Sequence, residues 1–256
     1  MRLVNIMFKK ILLASLLLSA VSPAFSSIII SGTRVVFPGD QTEVNVRTIN
    51  RSDKPALAQV WVDDGDTKVD VQNTKVPFIV TPPVFRIEPN KGQSIRMIYN
   101  GMALPQDRES IFWFNLLEIP PKASNDSGGQ KLELAFRTRI KIFYRPKALL
   151  KGSVSTELDK LEWSLVNDSN HGAGLKLKNP TPYYYSFNNI NAFSQNKKVR
   201  MTSDMIAPKS EKVFYPENKS KLSSITSMDF QYINEFGGIV SEKFKSQGGG
   251  FIKDKK

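Results

Sequence analysis

His171 is the one histidine of the chain, and there is no cysteine. A thiolate nucleophile, a disulfide and a thiolate metal site are therefore excluded, and one imidazole alone builds no histidine-based metal site. His171 lies in Asn170-His171-Gly172, a turn composition that reads as a loop residue rather than a base. No Gly-x-Ser-x-Gly elbow is present. Asp63, Asp64 and Asp66 gather carboxylates, but no EF-hand spacing follows them, so they read as a solvated hairpin turn. No catalytic residue, metal or cofactor is expected.

What the chain offers instead is main-chain chemistry. From Leu132 the even positions read Leu132, Leu134, Phe136, Thr138, Ile140, Ile142 and Tyr144, while the odd ones include Glu133, Arg137, Arg139 and Lys141. Alternation puts the apolar set on one face of a strand, and thirteen residues at about 3.3 Å each span roughly 40 Å. The core of one sandwich domain does not cover such a face. Either the strand is wholly internal, or Leu132, Leu134 and Phe136 overhang the core and are offered to another protein. In the second reading backbone hydrogen bonds supply affinity and alternate side chains fill pockets in the partner. An exposed apolar edge is otherwise an aggregation hazard.

The elements that must carry this strand are short alternating runs punctuated by Pro, Gly, Asn and Asp, the pattern of an all-β sandwich. Strands are expected over Ile28–Phe37, Glu43–Asn50, Ala56–Val62, Phe78–Val80, Val84–Ile87, Ser94–Tyr99, Ser110–Ile119 and Lys131–Tyr144. Ala58, Val60 and Val62 share one face of the third, with Trp61 on the other. After Arg145-Pro146 the rhythm restarts, with strands expected over Leu161–Val166, Gly174–Lys178, Tyr183–Asn188, Lys212–Tyr215, Ser227–Asn234 and Ile239–Phe244. Two domains follow, over residues 27–146 and 150–256.

Residues 1–26 stand apart. Arg2, Lys9 and Lys10 precede an apolar run from Ile11 to Val21, too short to span a bilayer as a helix, and Ala24 and Ser26 supply small residues for cleavage. This is the pattern of a secretory signal peptide. Its removal takes three positive charges from the net +12, leaving +9. Export without cysteine suits the bacterial periplasm. It also argues against nucleic acid as the partner of the basic surface and favours acidic proteins.

The segment from Leu104 to Pro120, reading Leu-Pro-Gln-Asp-Arg-Glu-Ser-Ile-Phe-Trp-Phe-Asn-Leu-Leu-Glu-Ile-Pro, closely resembles the signature of the periplasmic pilus-assembly chaperones. Further stretches match in order: Thr33–Phe37, Thr81–Pro89, Ile140–Pro146, Asn179–Tyr184 and Tyr232–Gly238. The resemblance covers most of the chain after residue 26. It implies two immunoglobulin-like domains set as a boomerang, in a chaperone that completes pilus subunits by lending them a strand and passes them to an outer-membrane usher. By position the lent residues are Leu132, Leu134 and Phe136, with Ile140 a candidate addition. Arg34 and Lys141 map to the two basic residues that grip the subunit's terminal carboxylate in the cleft between domains. Glu109, Arg145 and Glu235 map to an acid–base–acid cluster that sets the angle between domains.

Thr81-Pro82 is a candidate cis peptide, since X-Pro is the one common place for such a bond, and an open strand edge makes the free form a candidate for self-association. The loop Lys122–Lys131 is short, which in this family goes with rod-like adhesive pili. The absence of cysteine departs from relatives that carry a disulfide in the second domain. A rival reading is a secreted immunoglobulin-like adhesin or carbohydrate-binding module, with Trp61, Trp113 and Tyr183–Tyr185 lining a sugar site. Trp113 lies within the signature strand and reads better as core or interdomain packing.

Overall fold

In the computed structural model, which describes residues 28–66, 75–119, 134–194, 197–218, 221–222 and 224–254, the described residues form eighteen strands. The first nine are β1 (Ile28–Ile30), β2 (Arg34–Pro38), β3 (Glu43–Asn50), β4 (Ala56–Asp63), β5 (Phe78–Thr81), β6 (Val84–Ile87), β7 (Gly92–Tyr99), β8 (Ser110–Ile119) and β9 (Phe136–Arg145). They make two sheets, ordered β1-β3-β7-β5 and β2-β9-β8-β4-β6. All pairings are antiparallel except β2 with β9.

The expected strand Ile28–Phe37 is in fact two. The chain bends at Ser31-Gly32-Thr33, so that β1 joins the first sheet and β2 the second. The apolar residues on either side of the bend hide such a switch because both halves are packed against the same core. Ile28 is 1 % exposed and Phe37 fully buried. Ala56, Ala58, Val60 and Val62 point inward as alternation requires. The core closes on a ring cluster in which Phe78 lies 5.0 Å from Phe37 and 5.3 Å from Phe112, centroid to centroid. Each such side chain contributes about 1.5–3 kcal/mol by leaving water. The Thr81–Pro82 bond is cis.

A connection containing two short 3₁₀ turns, Lys147–Leu149 and Leu158–Lys160, leads to β10 (Glu162–Asp168), β11 (Gly172–Asn179), β12 (Tyr185–Ser194), β13 (Lys197–Met201), β14 (Met205–Ile206), β15 (Ser210–Phe214), β16 (Ser227–Ile233), β17 (Ile239–Gln247) and β18 (Gly250–Lys253). These nine strands pair as one continuous system, with β14 attached to β12. Their core is aromatic: Trp163 stacks 5.4 Å from Phe230 and packs against Phe187 and Phe214. The short strands β13, β14 and β18 escape the sequence reading because two to five residues are too few to show an alternating apolar signal. The architecture is two immunoglobulin-like sandwiches, all β.

Three expectations need correction. Asp63 does not lie in a solvated turn; it ends β4 and is 4 % exposed, held by buried Asn115. Trp113 is packed in neither core nor domain interface; its ring lies on the outer face of the second sheet under Arg139. Among the described residues the long strand runs from Phe136 to Arg145, and Leu134 and Ala135, expected within it, lie outside it. Leu132, the loop 122–131 and residues 1–26 lie outside the described residues. His171 is in a turn, where Asp168 accepts from its backbone and meets its ring.

Candidate functional site

The site is assembled where the second sheet of the first domain meets the edge of the second domain. Parallel pairing sets Arg34 on β2 directly opposite Lys141 on β9. Strand alternation turns Lys141 away from Ile140 and Ile142, which enter the core. Both cations reach the second domain. Arg34 Nη1 donates to the carbonyl of Ile233 at 3.1 Å, and Lys141 Nζ donates to Ser186 Oγ at 3.2 Å. The Arg34 guanidinium also sits 5.6 Å over the Phe143 ring.

No carboxylate among the described residues forms an ion pair with either cation. Burial pushes the Arg34 guanidinium down from its ordinary value, and the carboxylates of Glu235 and Glu109 partly offset this. Burial also pushes the Lys141 amine down, the neighbouring Arg34 adds to it, and Asp204 opposes both. Arg34 Nε is buried with no hydrogen-bond partner. Two partly dehydrated like charges, one with an unsatisfied donor, form a place where an anion is stabilised by charge-assisted hydrogen bonds, about twice as strong as neutral ones.

Beside this pair lies the acid–base–acid cluster. Arg145 Nε donates to Glu109 Oε1 at 2.8 Å and its Nη2 to Glu235 Oε1 at 3.4 Å. Arg145 is 6 % exposed and Glu109 3 %. Backbone groups complete the network: Tyr184 N donates to Glu109 Oε2 at 2.9 Å, and Val154 N to Glu235 Oε1 at 2.7 Å. The guanidinium of Arg145 lies 4.8 Å over the ring of Tyr183. All three residues mapped from the sequence meet here, one side of the cluster from each domain.

Local sequence explains how the second domain presents these groups. Asn179 ties the stretch after β11 into shape, donating to the carbonyls of Tyr183 and Ala207 at 2.8 Å each while its Oδ1 accepts from Thr181. That leaves the Pro182 carbonyl and Tyr184 N–H free to engage the backbone and side chain of Glu109. Asn234 performs the same task after β16, its Oδ1 accepting from the N–H groups of Phe236 and Gly238. Gly237, at φ +82°, then lies so close to the first domain that an added Cβ would sit 2.5 Å from Thr33 Oγ1. Outside the cleft, Lys209 pairs with Asp107 across the domains. The sequence reading missed Ser186, the Thr33–Gly237 approach and the Asp107–Lys209 pair, because each joins positions far apart in the chain with no alternation to mark them.

The residues expected in a lent strand divide. Leu134 and Phe136 are each 58 % exposed, whereas Ile140 is 8 % exposed and packs in its own domain's core. Ile140 is therefore not part of the exposed apolar surface of β9. Along β9, pairing with β8 runs from Phe136 to Tyr144, but pairing with β2 begins only at Lys141. Among the described residues, the other edge of Phe136–Ile140 is paired with no strand. An open main-chain edge bearing exposed apolar side chains thus ends at the cationic pair.

This combination defines a protein of two immunoglobulin-like domains with a cationic interdomain cleft and an open strand edge running into it. Residues 27–150 match the family described as Pili and flagellar-assembly chaperone, PapD N-terminal domain, and residues 156–244 match Pili assembly chaperone PapD, C-terminal domain. The chain belongs to this family of pilus chaperones, which are not enzymes. It is 42 % identical over 222 residues to the probable fimbrial chaperone YadV of Escherichia coli K12, covering 86 % of this chain and 89 % of that one. The crystal structure of the YadV chaperone superposes with a TM-score of 0.71, covering 86 % of this chain and all of that one. The CupB2 chaperone of Pseudomonas aeruginosa is 37 % identical with a TM-score of 0.72 over 86 % of this chain and 100 % of its own. SafB of Salmonella enterica, solved in complex with the SafA pilin, is 26 % identical with a TM-score of 0.70, covering 88 % and 99 %.

Proposed function

We propose that this chaperone captures pilus subunits by donor-strand complementation. The subunit pairs with the open edge of β9, its core receives Leu134 and Phe136 together with Leu132, and its terminal carboxylate is gripped by Arg34 and Lys141. The observation that carries this reading is the coincidence, at Lys141, of the end of the unpaired edge with the start of the cationic pair. A carboxylate held there fixes the register in which the strand is lent, because the anchor and the first unpaired residue are adjacent. SafB is solved with a pilin bound, which supports a subunit as the occupant.

The same reading extends to the remaining steps. Residues 1–26 direct export to the periplasm, the two domains span residues 27–146 and 150–256, and the short loop before β9 suits rod-like pili. Captured subunits pass to an outer-membrane usher, and the free form pairs with itself to cover its edge. Among the described residues no helix is long and apolar enough to cross a membrane.

The test is purification of the tagged chain from periplasm, with mass spectrometry of what accompanies it. Small immunoglobulin-like subunits and an usher are expected. Recovery of the chain with neither, under conditions that produce pili, overturns the reading.

A further inference from the structure

The outer face of β9 carries a charge network that subunit capture as described above does not use. Asp63, the last residue of β4, is 4 % exposed, and Asn115 on β8 is fully buried beside it. Asn115 Nδ2 donates to Asp63 Oδ2 at 2.7 Å, and Gly65 N donates to Oδ1 at 2.8 Å. Two arginines of β9 complete the shell. Arg139 Nη2 donates to Asp63 Oδ1, and Arg137 Nη2 to Oδ2 at 3.3 Å. Arg137 also grips Asn115 Oδ1 through Nε at 3.0 Å and Nη2 at 2.7 Å.

Each guanidinium is sandwiched further. Arg137 lies 4.9 Å over the ring of Trp61 and Arg139 4.7 Å over that of Trp113. Gly65, at φ +108°, makes room for the second ring, since a Cβ there would come within 2.7 Å of it. Planar guanidinium groups suit this combination of carboxylate fork and aromatic stacking, which a lysine could not reproduce.

The position of the network gives it a role. Arg137 and Arg139 belong to the stretch of β9 that β2 does not pair. On the opposite face of that stretch, Phe136 stands bare and core packing begins only at Ile140. Among the described residues one edge is open and one face uncovered, and the stretch is held by β8 on its other edge and by this network on its other face. A buried carboxylate between two cations is costly to desolvate and is weak evidence for stability. It is a good device for fixing geometry, because Arg137 is tied to both Asn115 and Asp63, and Arg139 is tied to Asp63 while stacked on Trp113.

We propose that Asp63 is a positioning residue for the lent strand: by clipping Arg137 and Arg139 to Asn115 and the outer face of the sheet, it holds the stem of β9 extended while Leu134 and Phe136 project from it unsupported. Burial alone would push the Asp63 carboxyl up, but the hydrogen bonds from Arg139, Asn115 and Gly65 hold it below its usual range. The inference rests on the donor-strand reading of β9.

The test uses the full mature chain and hydrogen exchange, with Asp63→Ala and, in case that variant folds poorly, the near-isosteric Asp63→Asn. The expected result is exchange about tenfold faster at the amides of residues 136–139 that β8 protects, with residues 141–145 unchanged. Asp63→Glu is expected to restore part of the protection. In parallel, capture of the pilus subunit that accompanies the unaltered chain should fall about tenfold in step with the lost protection. Unchanged exchange in both variants, or a uniform rise through β4, β8 and β9, overturns the proposal in favour of an ordinary stabilising ion network. Leu134→Glu separates the two layers. If it captures subunits normally, the donor-strand reading itself fails. If it does not, while Asp63 variants with a loosened strand capture normally, only the clip fails.

Discussion

Arg34 and Lys141 stand directly opposite each other in the parallel pairing of β2 with β9, each reaching a polar group of the second domain and neither paired with a carboxylate among the described residues. Two like charges half-buried side by side disfavour the free protein. Their desolvation and mutual repulsion act until an anion enters. The arrangement is therefore one in which stability of the free chain is given up for affinity, and this can be measured.

The lysine sets the first prediction. Its folded pKa lies below the ordinary 10.5, with burial the leading cause and Arg34 the second. Between the folded and unfolded values the unfolded chain binds more protons, so stability rises as pH climbs through that window, and at neutral pH the charged lysine costs stability. Lys141→Met should leave the melting temperature of the free chain unchanged or raise it by about 2–4 °C, as a gain near 1 kcal/mol would in a chain of this size. The same variant should lose subunit capture. A melting temperature lowered by that amount would show the lysine to be a stabilising contact instead.

The exposure contrast along β9 sets the second. Leu134→Glu and Phe136→Glu place a charge on side chains that are 58 % exposed, so each should unfold within about 0.5 kcal/mol of the unaltered protein in urea. Both should weaken subunit binding at least tenfold, since a charge would have to enter the subunit's apolar groove. Ile140→Glu places the same charge in the core, where Ile140 is 8 % exposed, and should cost about 3–5 kcal/mol. Equal stability losses for all three would mean that Leu134 and Phe136 are packed in solution.

Arg145 carries the third. Its removal leaves Glu109, 3 % exposed, with Tyr184 N–H but no counter-charge. Breaking a buried pair in this way costs about 3–5 kcal/mol, and Arg145→Ala should show it in chemical denaturation. The loss should depend on pH. Burial already pushes the Glu109 carboxyl above its usual range, with Arg145 and the Tyr184 N–H holding it back. Without Arg145 the folded pKa rises further, so the protonated form is tolerated at low pH and stability is lost as pH rises through that value. Denaturation midpoints at pH 4.5 and pH 8 should therefore differ more in the variant than in the unaltered chain; a pH-independent difference would place the cost elsewhere.

How much of this was legible in the sequence depends on the kind of interaction. Strands such as Glu43–Asn50 and Val84–Ile87 coincide with their expected limits because period-two burial is written locally, and Ser110–Ile119 does so because its apolar run is bounded by polar and Pro residues. The break between β1 and β2 was not legible, since Ile28 to Phe37 is apolar on both sides of it. Arg34, Lys141, Glu109, Arg145 and Glu235 were reachable only through ordered motifs; nothing in their spacing announces that residues 34 and 141 face each other. Asp63 was misread for the same reason. A carboxylate in an Asp-Asp-Gly-Asp stretch reads as solvated until Asn115, Arg137 and Arg139 arrive from strands 50 to 80 positions away.

The approach of Gly237 to Thr33 sets the last prediction, on the geometry between the domains. The residue combines φ +82° with a Cβ position 2.5 Å from Thr33 Oγ1 and 3.6 Å from Thr33 Cβ. Gly237→Ala therefore suffers twice, from a left-handed backbone costing roughly 1–2 kcal/mol and from collision with the other domain. The first penalty belongs to the hairpin alone, and the second belongs to the interface. Thr33→Ala removes the colliding hydroxyl, so the double variant should recover the interfacial part and leave the backbone part. A double-mutant cycle on the melting temperature, with small-angle scattering to follow the separation of the domains, reads both. Gly237→Ala should widen the scattering dimensions and weaken subunit capture, and Thr33→Ala should bring both back towards the unaltered values. Strictly additive effects would mean that the hairpin carrying Glu235 does not press on β2 in solution, and that the angle of the cleft is set by Arg145 without it.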